Sequence, residues 1–148
     1  MSSAIKRMVA GLGAIALAFV AGIGVGAARP PQVHVTALFA TSKTVMDEPI
    51  VYPSGAAKLT AAIVALDPGD ETGWHTHGVP LAGIVLEGEL TVDYGDKGKR
   101  VFHTGDAIAE TMSVPHNGKN TGDGPMRLFA IYIGAEGVPT TIPAPPAP

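Results

Sequence analysis

Between Val33 and Ile133 the sequence breaks into short β-prone runs, each closed after a few residues by a turn built from Gly, Pro or Asp. It carries no heptad and no sustained 3.6-residue apolar period, so an all-β sandwich or barrel is predicted. Strands are expected at Val33 to Phe39, Leu59 to Leu66, Gly73 to His77, Gly83 to Leu86, Glu89 to Tyr94, Arg100 to His103, Ala107 to Glu110 and Arg127 to Ile133. The punctuation between them is Asp67-Pro68-Gly69, Glu87-Gly88, Asp96-Lys97-Gly98, Thr104-Gly105-Asp106 and Thr121-Gly122-Asp123-Gly124-Pro125. Each supplies residues that favour turns or tolerate positive φ.

The two ends read differently from this centre. Lys6-Arg7 precedes an uncharged run from Met8 to Gly26, followed by Gly26-Ala27-Ala28 before Arg29-Pro30, the layout of a signal peptide over residues 1–28. The same run is long enough to cross a bilayer, so residues 8–26 as an uncleaved membrane anchor are the competing reading. Both readings keep the N-terminus cytoplasmic and place the following domain outside the cytoplasm, periplasmic or secreted. Residues 139–148 contain five prolines and are expected to be a disordered tail. One domain of about 110 residues, 29–138, is left between the ends. A net charge of −3 with scattered Lys and Arg excludes a phosphate-binding stripe, and hence nucleic acid as a partner. With no cysteine in the chain, any metal must sit on nitrogen and oxygen.

The chemistry concentrates at Gly73-Trp74-His75-Thr76-His77. Residues two apart on a strand share a face, so both imidazoles can reach one cation. His34, His103 and His116 are the remaining histidines.

The segment Gly69 to Gly88 resembles the first motif of the cupin superfamily, with Gly69, His75, His77 and Gly88 at that motif's intervals. Gly105, His116 and Asn120 keep the spacing of the second cupin motif, although Thr111 and Ser113 stand where Pro and Gly are usual. The resemblance covers most of residues 33–135 and includes Ile50-Val51-Tyr52-Pro53 and Tyr132-Ile133-Gly134. It implies a small double-stranded β-helix, a jelly-roll-like conical barrel, with His116 joining His75 and His77 as metal ligands near one mouth. The position where such proteins carry a carboxylate ligand is Leu81, or Ala82 with the alternative spacing. The ligand set is therefore three imidazoles, suited to one divalent transition metal; Fe, Zn, Ni, Mn, Co and Cu are not distinguished. Glu110, ending the strand before the His116 loop, is expected to accept a hydrogen bond from a ligand imidazole rather than to bind the ion.

Other residues have plainer readings. Trp74 alternates with the two histidines and is expected to face away from the site, packing against a sheet or a second subunit. Asn120 is read as a turn residue, and His34 and His103 as structural. Leu38, Ile63, Leu81, Ile84, Leu128, Phe129 and Ile131 are assigned to core and pocket wall.

Two functions stay open: a dioxygenase-type enzyme acting on a small molecule through the three-His metal, and a non-catalytic module binding a small ligand or the metal itself. A homodimer paired through its sheets is the expected assembly.

Overall fold

The computed structural model describes residues 32–147, so the proposed signal or anchor at 1–28 lies outside the described residues. The chain divides into two units, Met1–His34 and Val35–Pro148, and every strand among the described residues belongs to the second. Those strands are β1 (Ala57–Leu66), β2 (His75–Thr76), β3 (Leu81–Glu87), β4 (Glu89–Asp93), β5 (Lys99–His103), β6 (Ala107–Ala109), β7 (Asn117–Asn120), β8 (Met126–Ala135) and β9 (Ile142–Pro143). A three-residue 3-10 turn, Gly95–Lys97, joins β4 to β5. No helix among the described residues is long and apolar enough to cross a membrane.

One sheet runs β1-β8-β3-β6, a second runs β5-β4-β7, and β2 pairs with β9. All ladders are antiparallel, giving the all-β double-stranded β-helix that the sequence predicted. Period-two alternation decides what faces inward. Leu81 and Val85 on β3, Leu90 and Val92 on β4, Ile108 on β6, and Met126, Leu128 and Ala130 on β8 form one buried core that includes Tyr94. Ile84, Phe129 and Ile131 sit on the intervening positions, half-buried, while Ile63 (46% exposed) and Leu38 (60%) lie outside the core to which they were assigned.

Four of the predicted turns hold a glycine at positive φ: Gly69, Gly88, Gly98 and Gly105. Gly88 (φ 78°) shows why: a Cβ there would stand 2.5 Å from the Pro125 carbonyl oxygen, so the β3–β4 hairpin closes only on glycine.

Two expected elements differ. Val33 to Phe39 forms no strand, because its backbone finds no partner and Val33 and Val35 stay more than four-fifths exposed. Residues 139–147, expected to be disordered, are held against the barrel. Thr76 pairs with Ile142 and His75 with Pro143, and the Ala144 N–H donates to the Trp74 carbonyl at 3.0 Å. The prolines leave enough free donors and acceptors for one short edge pairing, the position in a sheet that tolerates proline.

Candidate metal centre

Two separate segments, the HxH at 75–77 and the loop carrying His116, bring the histidines together. His75 and His116 form an antiparallel bridge, each N–H donating to the other's carbonyl, at 3.0 and 2.9 Å. The His77 N–H donates to the Met112 carbonyl at 3.0 Å, fastening the other end of the HxH to the loop before His116. The ring centroids of His75 and His116 are 4.4 Å apart, and each lies 5.0 Å from that of His77. One ligand atom from each residue falls within 4.8 Å of the other two.

Each ring is also turned. Nδ1 of His75 lies 2.7 Å from the Gly73 carbonyl, Nδ1 of His77 3.0 Å from that of Thr140, and Nδ1 of His116 2.9 Å from that of Val114. A carbonyl only accepts, so each Nδ1 carries the hydrogen and each Nε2 keeps its lone pair for a cation. Burial disfavours the charged form of all three: it lowers His75 and His116, and lowers His77 from 6.5 to about 4. At neutral pH the cluster is three neutral imidazoles with fixed tautomers, the form that binds a transition metal.

The rings open on a cavity of about 450 Å3 with walls that include Val64, Leu90, Val92, Ile108, Leu128 and Tyr132. Leu81 is part of this wall, so position 81 offers no carboxylate. Trp74 also borders the cavity, directly before the two-residue strand β2.

Glu110 faces the same cavity and is 7% exposed. Its carboxylate accepts from the Tyr94 hydroxyl, 3.0 and 3.2 Å from its two oxygens, and from the Thr111 N–H at 2.7 Å. No ligand imidazole donates to it. The hydrogen bond expected from a histidine is absent because all three Nδ1 atoms are already satisfied by carbonyls. Burial pushes the Glu110 carboxyl up to about 7, against the opposing pull of the Thr111 and Tyr94 donors. Burial also raises the neighbouring Tyr94 hydroxyl above its ordinary value.

A second carboxylate organises the site from behind. Glu48 accepts from the Thr44, Thr111 and Ser113 hydroxyls and from the N–H groups of Met112 (2.9 Å) and Ser113 (3.2 Å). Partial burial opposes its ionisation, but these donors outweigh burial and hold it below the usual carboxylate range. The segment that carries Met112 and Val114, whose carbonyls anchor His77 and His116, is thereby tied to the 43–49 turn. Thr111 and Ser113, the two departures from the second motif, are the residues whose hydroxyls make this clamp. Sequence reading missed Glu48, since nothing local to it signals a partner more than sixty residues away.

Neither His103 nor His34 belongs to the three-histidine group; His103 lies on the surface 3.4 Å from Glu89. Asn120, 1% exposed, does more than turn the chain. Its amide donates to the Leu66 and Gly124 carbonyls and accepts from the Gly122 N–H.

The family described as "Cupin domain" matches residues 62–132. No curated relative matches the sequence. Among solved structures, an uncharacterized conserved protein with a double-stranded beta-helix domain from Klebsiella pneumoniae is 13% identical, with 76% of this chain and 100% of that one covered at a TM-score of 0.50. The oxalate decarboxylase of Lactobacillus farciminis (21% identity, 57% of this chain, 26% of that one) and the DMSP lyase DddQ of Ruegeria pomeroyi (21%, 58% and 43%) both have TM-scores of 0.50. The chain thus spans less than half the length of the last two, and at these identities the shared property is the fold.

Proposed function

Because the chain is a cupin, matched over residues 62–132, we propose that it holds one divalent transition metal on His75, His77 and His116 and acts on a small chelating molecule as an oxygenase-type enzyme. The observation that carries this reading is the convergence of three tethered, neutral imidazoles on one side of a largely apolar cavity. Bound there, such an ion supplies Lewis acidity and, where redox-active, one-electron chemistry.

The chain's own residues supply the remainder. Leu81, Val92, Ile108 and Leu128 exclude water from the ligand. Glu110, poised near pH 7, takes a proton from an enolisable ligand: a C–H or O–H bond of the ligand breaks, its electron pair stays on the ligand, and an O–H bond forms on a carboxylate oxygen. The Tyr94 hydroxyl keeps that carboxylate in place. This group favours an enzyme over a plain binding module, because a carboxyl that changes state near neutrality inside a ligand cavity serves proton transfer.

Protein purified without chelator should contain close to one equivalent of transition metal, and His75→Ala or His116→Ala should abolish its retention. Metal-loaded protein should consume O2 with a β-diketone or a catechol, and Glu110→Gln should slow turnover while metal is kept. Full loading with no turnover on such a panel would leave the binding module. Lack of metal even after reconstitution would remove both readings.

We place this activity outside the cytoplasm, on the charged and apolar pattern of residues 1–28. We assign the exposed apolar positions of β1, Leu59 and Ile63, to the contact between two copies.

A further inference from the structure

The C-terminal segment touches the histidine cluster at more points than an edge strand requires. The Thr140 carbonyl accepts from Nδ1 of His77, and it is the one ring anchor that comes from outside the two motifs. β9 pairs with β2, the strand that carries His75, through His75↔Pro143 and Thr76↔Ile142. Thr141 and Pro143 line the cavity. Gly78, directly after His77, has room for no side chain, because a Cβ there would collide with the Pro139 carbonyl oxygen and would sit 3.5 Å from Cδ1 of Ile142. The main chain of the strap therefore lies in direct contact with the HxH strand, and glycine at 78 is what lets it do so.

We infer that residues 139–144 are a working part of the metal centre, a strap in which the Thr140 carbonyl positions the His77 ring and Thr141 with Pro143 completes one wall of the ligand cavity. This rests on the three-His metal reading for its effect on metal, but the positioning itself belongs to the metal-free protein. A neutral imidazole without its Nδ1 acceptor samples both tautomers and turns about χ2, and only the Nδ1–H form presents Nε2 to an ion. Losing such an orienting partner typically weakens metal binding by about 10- to 100-fold.

The test uses Co(II) as the probe and a chelator to follow its release. A chain ending at Val138 should release Co(II) about 10- to 100-fold faster than the full chain. Full-length Gly78→Ala should do the same by pushing the strap away, and adding Gly78→Ala to the shortened chain should change nothing further. An additional effect in the shortened chain would mean that Gly78→Ala acts on His77 directly, and a shortened chain that melts normally yet holds Co(II) as the full chain does would overturn the inference. Should the shortened chain fail to fold, full-length Ile142→Asp, which removes the apolar anchor over Gly78, replaces it, with unchanged release again the refuting result. If the full chain binds no Co(II), the metal reading fails separately. Long-range 1H–15N spectra of metal-free protein then decide the strap: a single Nδ1–H tautomer of His77 in the full chain should become a mixture when the strap is removed, and an unchanged tautomer would refute the positioning.

Discussion

Replacing Glu110 by Gln in the metal-free protein should change how stability depends on pH, by an amount fixed by the carboxyl's burial. Folding raises Glu110 from 4.5 to about 7. The folded state therefore holds its proton longer than the unfolded chain, and the contribution to stability is fully present below pH about 4.5 and lost as pH rises through about 7. The difference between the two values corresponds to about 3 kcal/mol in all, spread across the window between them. His77 works in the opposite direction. Burial lowers it from 6.5 to about 4, so the unfolded state binds the proton first and stability falls as pH drops through that range. His75 and His116, lowered for the same reason, add to the histidine slope. Because the histidines are common to both proteins, the difference between Glu110→Gln and the parent isolates the carboxyl. Gln keeps the acceptor for the Tyr94 hydroxyl and the Thr111 N–H, so packing is retained. Between pH about 5 and 6.5 the stability of the variant should gain about 2 kcal/mol relative to the parent. Urea unfolding followed by the fluorescence of Trp74, the chain's single tryptophan, measures both curves. Two parallel curves across that window would show that Glu110 ionises as freely as a surface carboxylate, and the proton-transfer role given to it would fall.

Glu48→Gln should lower stability at neutral pH by about 1 kcal/mol, after allowance for its partial exposure, and should speed metal release by loosening the loop that carries Val114. Since folding depresses the Glu48 carboxyl, its contribution is present above pH about 4.5 and disappears as pH falls below it; a deficit equal at acid and neutral pH in urea titrations would contradict this. Asn120→Ala should cost about 2–3 kcal/mol, because it orphans the buried Leu66 and Gly124 carbonyls and the Gly122 N–H, and a thermal melt within 2 °C of the parent would show those bonds to be dispensable. Ile63→Lys should convert a dimer to a monomer in sedimentation velocity without unfolding the barrel; a parent that already sediments as a monomer would remove the proposed pairing.

The barrel was legible because its strands announce themselves twice, by β-branched runs and by glycines that the turns require. Strand β7, Asn117–Asn120, escaped notice because Asn-Gly-Lys-Asn has no strand propensity. Its register against β4 comes from tertiary context: Asn120 opposite Leu90, the Asn120 amide bonds, and the packing of Leu90 on Gly118, where a Cβ would meet Leu90 at 3.3 Å. The reverse error occurred at Val33 to Phe39, whose composition suits a strand that no neighbour completes. The pairing of His75 with His77 was readable from spacing alone, whereas His116 needed the motif comparison because it is 39 residues beyond His77. The strap and the Glu48 clamp were invisible for a common reason. Both depend on main-chain carbonyls or on hydroxyls that meet only after the barrel closes, and a carbonyl leaves no mark on the identity of its residue.

The carboxylate absent from position 81 has a counterpart one strand away. Leu81 and Glu110 are immediate cross-strand neighbours, the Glu110 N–H donating to the Leu81 carbonyl at 3.0 Å, and both side chains face the cavity. A carboxylate on position 81 would arise on the strand that follows the HxH loop, whereas one on 110 is drawn aside by Tyr94 and Thr111 and stays outside the cluster formed by the three imidazoles. The two arrangements differ in electrostatics more than in composition. A carboxylate among the imidazoles is held ionised by the cation and occupies a coordination position. Glu110, raised by burial to about 7, keeps its proton near neutrality and lies outside the three-histidine group. Under the proposed reading, a dication held on the three imidazoles would favour the ionised form of the buried Glu110 carboxyl, so that loading the site would also ready Glu110 as a base.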